Sequence, residues 1–373
     1  MMIEINHEKK TTEFLLLVRA GLFEDVKVID LPKSINFSEV LRLAEEQSVV
    51  GLIADGLKKG ACYNIPLDEK LKLIGKCQLI EQRNSAMNRF IAELIAQLNK
   101  NGICALLVKG QGMAQCYERP LWRSAGDIDL LLDEENYNKA KVFLAPLSEE
   151  AVLEDVAKRH LSIQLRGFTI ELHGRMPFVL SHRADKVIDE VIADSLLMIG
   201  GERPLVRVWK NENTDIYLPK ADNDVILVFS HYLHHFFVEG VGLKQICDWC
   251  RLLWTYREEI DRRLLGKRLQ EAGLMSEWKA FASLAVKTLG MPVDAMPFYD
   301  ESFKRKGEMV LRHILKAGNF GQNKDLSYRV KYKGCAYKMV SFWRRLVDSV
   351  NFVPIFPLDT PKFFVTYVFS KVK

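Results

Sequence analysis

Gly126-Asp127-Ile128-Asp129-Leu130-Leu131-Leu132 reads as a strand that carries two carboxylates into an apolar core. In a strand, residues two apart project from one face, so Asp127 and Asp129 stand side by side while Ile128 and Leu130 turn the other way. Two adjacent carboxylates repel unless something positive lies between them, and a divalent metal is the simplest solution. Hard carboxylate oxygens suit Mg²⁺ (or Mn²⁺), which keeps several waters and takes substrate phosphates as further ligands. An isolated Asp-x-Asp is more often a wet polar face. Here Gly126 before the pair and the three leucines after it argue for a strand entering a core.

Upstream, Ile103-Cys104-Ala105-Leu106-Leu107-Val108 is a short, almost wholly apolar run, the pattern of a buried strand. Lys109-Gly110-Gln111-Gly112 ends it, and one or two helical turns follow over 113–117. The two glycines let backbone N–H groups approach phosphate oxygens closely, and a helix start adds a favourable dipole. Lys109 is expected to pair with a phosphate or to balance the carboxylates. Arg123 is expected to touch a nucleotide or to order the connecting loop.

Downstream, a helix is expected over 134–144 and a hairpin over 161–173. In the hairpin Leu161, Ile163 and Leu165, then Phe168, Ile170 and Leu172, alternate with polar residues, and Arg166-Gly167 makes the turn. The polar face of its second strand carries Glu171, a candidate third metal ligand, against the bland reading of a wet hairpin face. His173 lies two residues on. It either contacts the nucleotide, orients Glu171, or is a structural histidine.

The rest reads mostly as helix. Residues 37–57 have helical spacing behind a Ser38 cap. A longer helix runs over 67–99. Leu71, Leu73, Ile74, Cys77, Leu79 and Ile80 begin its apolar side, and Asn101-Gly102 stops it. A second hairpin pairs 205–209 with 216–218 through Lys210-Asn211-Glu212-Asn213. From Ala221 onward helices dominate, over 222–237, 243–256 and beyond 262. The expected fold is therefore α+β: an N-terminal helical region (1–100), a small mixed β-sheet core (101–220), and a C-terminal helical domain with a basic tail (221–373). His231, His234 and His235 are expected to line the cleft opposite the carboxylates or to pack between helices, with Asp248 bonding one of them. A zinc site with Cys247 and Cys250 is set aside, since both spacings arise by chance.

Composition bounds the function. With 373 residues, 48% hydrophobic and 27% charged, the chain can form two or three domains with a sizeable core. The net charge of +5 is uneven: residues 301–373 hold 15 Lys/Arg against 5 Asp/Glu, and the rest of the chain is acidic on balance. That basic, aromatic C-terminal segment is either a solvated face or a surface for phosphate-rich partners such as nucleic acid. Seven scattered cysteines argue against a disulfide framework and for a reducing compartment. The acidic N-terminus does not read as a signal peptide, and no apolar run is long enough to span a membrane, so cytoplasm is the expected location.

These motifs resemble the polymerase-β-type nucleotidyltransferase superfamily and, more narrowly, a bacterial family of uncharacterised nucleotidyltransferases. The resemblance rests on Leu107-Val108-Lys109-Gly110, on Tyr117-Glu118-Arg119-Pro120-Leu121-Trp122-Arg123, on Gly126-Asp127-Ile128-Asp129-Leu130-Leu131, and on Ile170-Glu171-Leu172-His173. It extends to His231-Tyr232-Leu233-His234-His235 and Leu243-Lys244-Gln245-Ile246-Cys247-Asp248. It implies metal ligands at Asp127, Asp129 and Glu171, and it puts Gly110 at the glycine turn before the acidic strand. With Lys109, Gly110, Gln111, Gly112, Arg123 and His173 as nucleotide-binding candidates, the implied substrate is a nucleoside triphosphate. A nucleoside monophosphate would pass to a hydroxyl or phosphate of a small molecule, RNA or protein, releasing pyrophosphate. The chain departs from the wider superfamily at Gly110-Gln111, where Gly-Ser or Gly-Gly is usual and the Ser holds a phosphate. That departure supports the competing reading, a catalytically inactive nucleotide-binding or scaffold protein of the same fold.

Overall fold

In the computed structural model, which describes residues 2–24, 35–59, 65–197, 206–324, 331 and 333–372, the acidic stretch lies inside a five-stranded mixed sheet. Its strands are β1 (Leu106–Val108), β2 (Ile128–Leu131), β3 (Leu153–Asp155), β4 (His160–Leu165) and β5 (Phe168–His173). Their spatial order is β1-β2-β5-β4-β3. Only the β2–β5 pair is parallel; the others are antiparallel. Two further strands, β6 (Arg207–Asn211) and β7 (Thr214–Leu218), form a separate two-stranded sheet.

Helices surround the sheet. They are α1 (Met2–Leu22), α2 (Phe37–Glu46), α3 (Val50–Lys58), α4 (Leu67–Lys100), α5 (Gly110–Ala114), α6 (Glu134–Leu144) and α7 (His182–Leu197). After the second hairpin come α8 (Ala221–Val238), α9 (Leu243–Thr255), α10 (Arg262–Ala272), α11 (Met275–Lys287), α12 (Lys304–Ala317), α13 (Gly334–Phe352) and α14 (Asp359–Val372). The chain is thus α+β, with helices before and after a small sheet.

The sheet's two faces have different fates. Leu107, Ile128, Leu130, Leu161, Ile163, Ile170 and Leu172 join the second half of α4 (Met87 to Leu98) and α6 in one core. On the opposite face Leu106, Val108 and Leu131 join the core of the C-terminal helices. β1 and the end of β2 are therefore buried on both sides, which is why their sequence is continuously apolar. Beyond them, the face opposite α4 is polar and carries the candidate site.

Several sequence expectations shift in place. The single helix expected over 37–57 is two, broken where Ser48 adopts φ 56°. Gln47 has other partners: its Oε1 accepts from the Leu243 N–H at 2.9 Å and its carbonyl from Lys244 N at 3.3 Å, so it caps the start of α9. The N-cap of α2 is Asn36, which accepts from Glu39 N, while Ser38 bonds Glu69. In α4 Leu71, Ile74 and Leu79 are exposed and only Leu73 and Cys77 are buried in the first turns, because that half of the helix runs past the sheet and meets α2, α3 and Trp122, whose Nε1 donates to Glu81 at 3.0 Å. The second hairpin turns on Glu212-Asn213 alone, with Lys210 and Asn211 paired in β6; Leu205 lies outside the described residues. Arg166 and Gly167 turn the first hairpin as expected, both at positive φ (52° and 73°). Cys77, Cys104, Cys116, Cys247 and Cys250 are free thiols; Cys62 and the Cys335 side chain lie outside the described residues. Phe352, Phe356 and Phe363 of the C-terminal segment pack against Phe236 and Phe237 of α8.

One buried acid makes a stability prediction. Glu277 of α11 is fully buried, neither carboxyl oxygen has a hydrogen-bond partner, and Asp359 lies nearby. Burial, then the Asp359 charge, pushes its pKa up to about 8. The folded chain therefore keeps a proton that the unfolded chain releases, and stability falls as pH rises from about 4.5 to about 8. Glu277→Gln is expected to flatten that slope and to raise stability at pH 8 by on the order of 3 kcal/mol. Chemical denaturation at pH 5 and pH 8 checks it; an unchanged slope would refute it.

Candidate active site

The parallel pairing of β2 with β5 puts Asp129 in register with Glu171. Asp127 lies two residues before Asp129, at the exposed mouth of the strand, while Asp129 is buried. The three candidate metal ligands thus share one region of the sheet's polar face. Lys109 Nζ sits 2.7 Å from Asp129 Oδ1, and His173 Nε2 sits 2.9 Å from the same oxygen and 3.4 Å from Glu171 Oε2. His160, at the start of β4, places Nε2 3.3 Å from Glu171 Oε2.

Each charge bears the mark of its neighbours. Burial would raise the Asp129 carboxyl, but the Lys109 ammonium and the His173 imidazole hold it far below the usual carboxylate range. Burial would likewise raise Glu171, but His160 and His173 bring it down to about 2. The Asp127 side chain reaches solvent, yet partial loss of water, followed by repulsion from Glu171 and Asp129, raises it. Burial lowers His173, and its bonds to Asp129 and Glu171 more than reverse this. The protein's own cations therefore compensate a carboxylate cluster built for positive charge. Carboxylate oxygens are the donors a hard divalent cation takes, but Asp127 and Asp129 are not in the group whose donor atoms converge within 4.8 Å, which is His160, Glu171 and His173.

The glycine turn is shaped by close contact. Gly110 has φ +40°, and a Cβ there would meet the Asp127 carbonyl at 3.1 Å. A Cβ on Gly112 would meet Leu218 Cδ2 at 2.9 Å, so this glycine serves packing against β7. Lys109 has φ 56° and ψ −144°, a strained backbone for a residue with a side chain, and its amine is aimed at Asp129. The helix dipole expected from sequence does not materialise, since α5 is five residues long. The Gln111 side chain is buried and donates to Asn84 Oδ1 at 2.9 Å, so it faces the core and not the cleft. Asn84 in turn donates to the carbonyls of Leu121 and Arg123.

Arg123 is buried in a two-pronged bond to Asp248 of α9, at 2.8 and 2.7 Å, and Tyr117 donates to the same carboxylate at 2.8 Å. Of the two roles read for Arg123, the geometry serves ordering of the loop before Asp127. Asp248 bonds no histidine, contrary to expectation, because these two donors occupy its oxygens. Across the cleft His231 Nε2 lies 3.4 Å from Lys109 Nζ and 3.1 Å from His235 Nε2. Burial, then Lys109, pushes the His231 imidazole well below its ordinary value. Cys247 and Cys250 are fully buried in α9.

Two residues of the site escaped the sequence reading. Lys244, at the start of α9, is pushed down to about 8 by burial and then by Arg123, and it lies in the field of Asp127 and Asp129. Its position beside Asp248 was its only signal. His160 continues the polar alternation of Ser162 and Gln164 two residues upstream, a signal present in the strand's period.

Paired carboxylates on one strand, a third on the parallel neighbour, and a lysine and glycine turn on the strand before them make this a nucleotidyltransferase-like α+β protein. The model of the uncharacterised nucleotidyltransferase family matches residues 33–290, and the chain belongs to that family. No curated protein and no solved structure matches it. Among the described residues no helix is long and apolar enough to cross a membrane.

Proposed function

We propose that the protein transfers a nucleoside monophosphate from a nucleoside triphosphate to a phosphate-bearing acceptor, releasing pyrophosphate. The observation that carries the reading is the register of Glu171 with Asp129 across the parallel strands, beside Asp127. Asp127, Asp129 and Glu171 would hold the divalent cation, which, when bound, neutralises triphosphate oxygens and the charge that develops on the leaving pyrophosphate. Lys109 is within reach to exchange Asp129 for a phosphate oxygen. Of the turn, Gly110 is only half-buried and its N–H is the candidate donor to the triphosphate, whereas Gln111 and Gly112 are buried. Glu171 orients the attacking oxygen, and His173 positions Glu171. Arg123 and Asp248 hold the loop that sets Asp127.

A basic cavity among the C-terminal helices supports an anionic acceptor. A cavity of about 1090 Å³ lies between α12, α13 and the end of α8, with Arg312, Lys316, Arg344 and Arg345 against Glu239 and Asp348 in its lining. Glu239 Oε2 also holds His235 Nδ1 at 3.1 Å, and the Phe320 ring in the cavity wall packs on the His235 ring at 5.1 Å. Through Glu239 and Phe320 the cavity wall touches His235, which in turn lies 3.1 Å from His231 at the cleft. That net positive lining favours an anionic acceptor.

The test incubates the full chain with each of four α-labelled triphosphates, Mg²⁺ or Mn²⁺, and phosphorylated acceptors that include RNA oligonucleotides. Metal-dependent label transfer with pyrophosphate release is expected. Nucleotide binding without release across the whole panel would favour the inactive sensor or scaffold, the reading supported by the inward-facing Gln111. Steeply salt-sensitive RNA binding that survives loss of Asp127, with no transfer, would favour a nucleic-acid binder.

A further inference from the structure

Two imidazoles face the carboxylates in a way that charge balance alone does not require. His160 and His173 are in register on β4 and β5, so both rings stand on the polar face, with centroids 4.9 Å apart. Both turn Nε2 toward the same oxygen, Glu171 Oε2, at 3.3 and 3.4 Å. These separations are long for an N–H···O bond, whose usual range is about 2.7–3.2 Å. They match the spacing of about 3–3.5 Å between donors that share one metal at about 2.0–2.2 Å. One donor atom from each of His160, Glu171 and His173 lies within 4.8 Å of the others, and this is the one such group among the described residues. Asp129 Oδ1 is hydrogen-bonded to His173 Nε2 at 2.9 Å and lies outside this group.

We propose that His160, His173 and Glu171 form a mixed nitrogen–oxygen site that selects a first-row transition-metal ion, of the Mn²⁺, Co²⁺ or Zn²⁺ kind, over Mg²⁺. Imidazole nitrogen suits these ions, whereas Mg²⁺ takes oxygen donors and water. β4 supplies the ligand that decides between them. Without His160 the remaining donors of the group are one ring and one carboxylate, a set with less reason to reject Mg²⁺. The inference rests on the nucleotidyltransferase reading in that Glu171 serves both, but its readout is binding, independent of turnover.

The experiment titrates Mn²⁺ into the full chain without nucleotide and follows it by electron paramagnetic resonance. The bound ion is expected to show spin-echo modulation from directly coordinated ¹⁴N and to resist displacement by excess Mg²⁺. His160→Ala is expected to weaken Mn²⁺ binding by on the order of 10–100-fold, the scale of losses at tuned metal sites, and to narrow the preference over Mg²⁺. Mn²⁺ bound with oxygen-only coordination, or displaced freely by Mg²⁺, overturns the proposal. The wild-type spectrum alone decides this if the variant does not fold. Nitrogen ligation without label transfer would sink the enzyme reading and leave this site standing; transfer with oxygen-only coordination would do the reverse.

Discussion

Asp129→Asn is expected to lower nucleotidyl transfer by on the order of 10³-fold, the scale of losing a preorganised charge at a reacting phosphate. Asp129 is the buried carboxylate on which Lys109 and His173 converge, at 2.7 and 2.9 Å, and it lies in register with Glu171. An amide keeps the shape and removes the charge. The cation would then have one hard ligand fewer, and Lys109 would have no anionic partner at that oxygen. Folding should suffer much less, because Asp127 and Glu171 remain to offset Lys109 and His173, and the loss of repulsion among three acids partly compensates. A stability change of about 1–2 kcal/mol is the scale for such bonds. The discriminating measurement is thermal: divalent cation is expected to raise the melting temperature of the wild-type chain and to leave that of the variant nearly unchanged. Transfer within a few-fold of wild type would remove Asp129 from the proposed site.

Arg123→Ala is expected to cost about 3–5 kcal/mol of stability, the range for stripping one partner from a buried ion pair. The Arg123 and Asp248 side chains are only 5% and 6% exposed, and their bond is two-pronged. Burial would raise Asp248, and Arg123 more than offsets that. Removing the guanidinium leaves this carboxylate in the core with Tyr117 and the nearby Lys244. The paired apolar replacement Arg123→Met with Asp248→Leu should recover much of the loss, because no charge is then stranded. Urea denaturation of the single and double variants separates the two cases. A single-variant loss below about 1 kcal/mol would show that solvent reaches the pair and that it behaves as a surface bridge. Because the bond ties the loop that sets Asp127 to α9, transfer and metal affinity should fall together with the fold.

Much of the local structure was legible. Period-2 alternation over 161–173 marked a hairpin, and the structure turns it at Arg166-Gly167. Asp133 followed by Glu134 and Glu135 is a helix start, and α6 spans Glu134–Leu144 as expected, with Asp133 accepting from Asn136 N. The failures share a cause. Residues 37–57 have helical spacing throughout, yet Gln47 leaves the helix to cap α9, nearly two hundred residues away. The apolar residues early in α4 all have the right spacing, yet Leu73 and Cys77 are covered while Leu71, Ile74 and Leu79 are exposed. Leu153–Asp155 has too short and too exposed a pattern to announce β3, which exists because β4 offers it an edge.

The candidate site divides along the same line. The order of residues along the chain was enough to place Asp127 with Asp129, to aim Glu171 and His173 at one polar face, and to put a glycine turn before them, since each depends only on the repeat of a strand or on a missing Cβ. Which strands lie side by side was decided by packing. Parallel pairing of β2 with β5 leaves Glu171 beside Asp129, antiparallel pairing brings His160 beneath His173, and α8 carries His231 to Lys109. Those neighbours are from about a dozen to more than a hundred residues apart, and they meet because the apolar face of the sheet closes on α4 and α6 while the helices after residue 221 cover its other side.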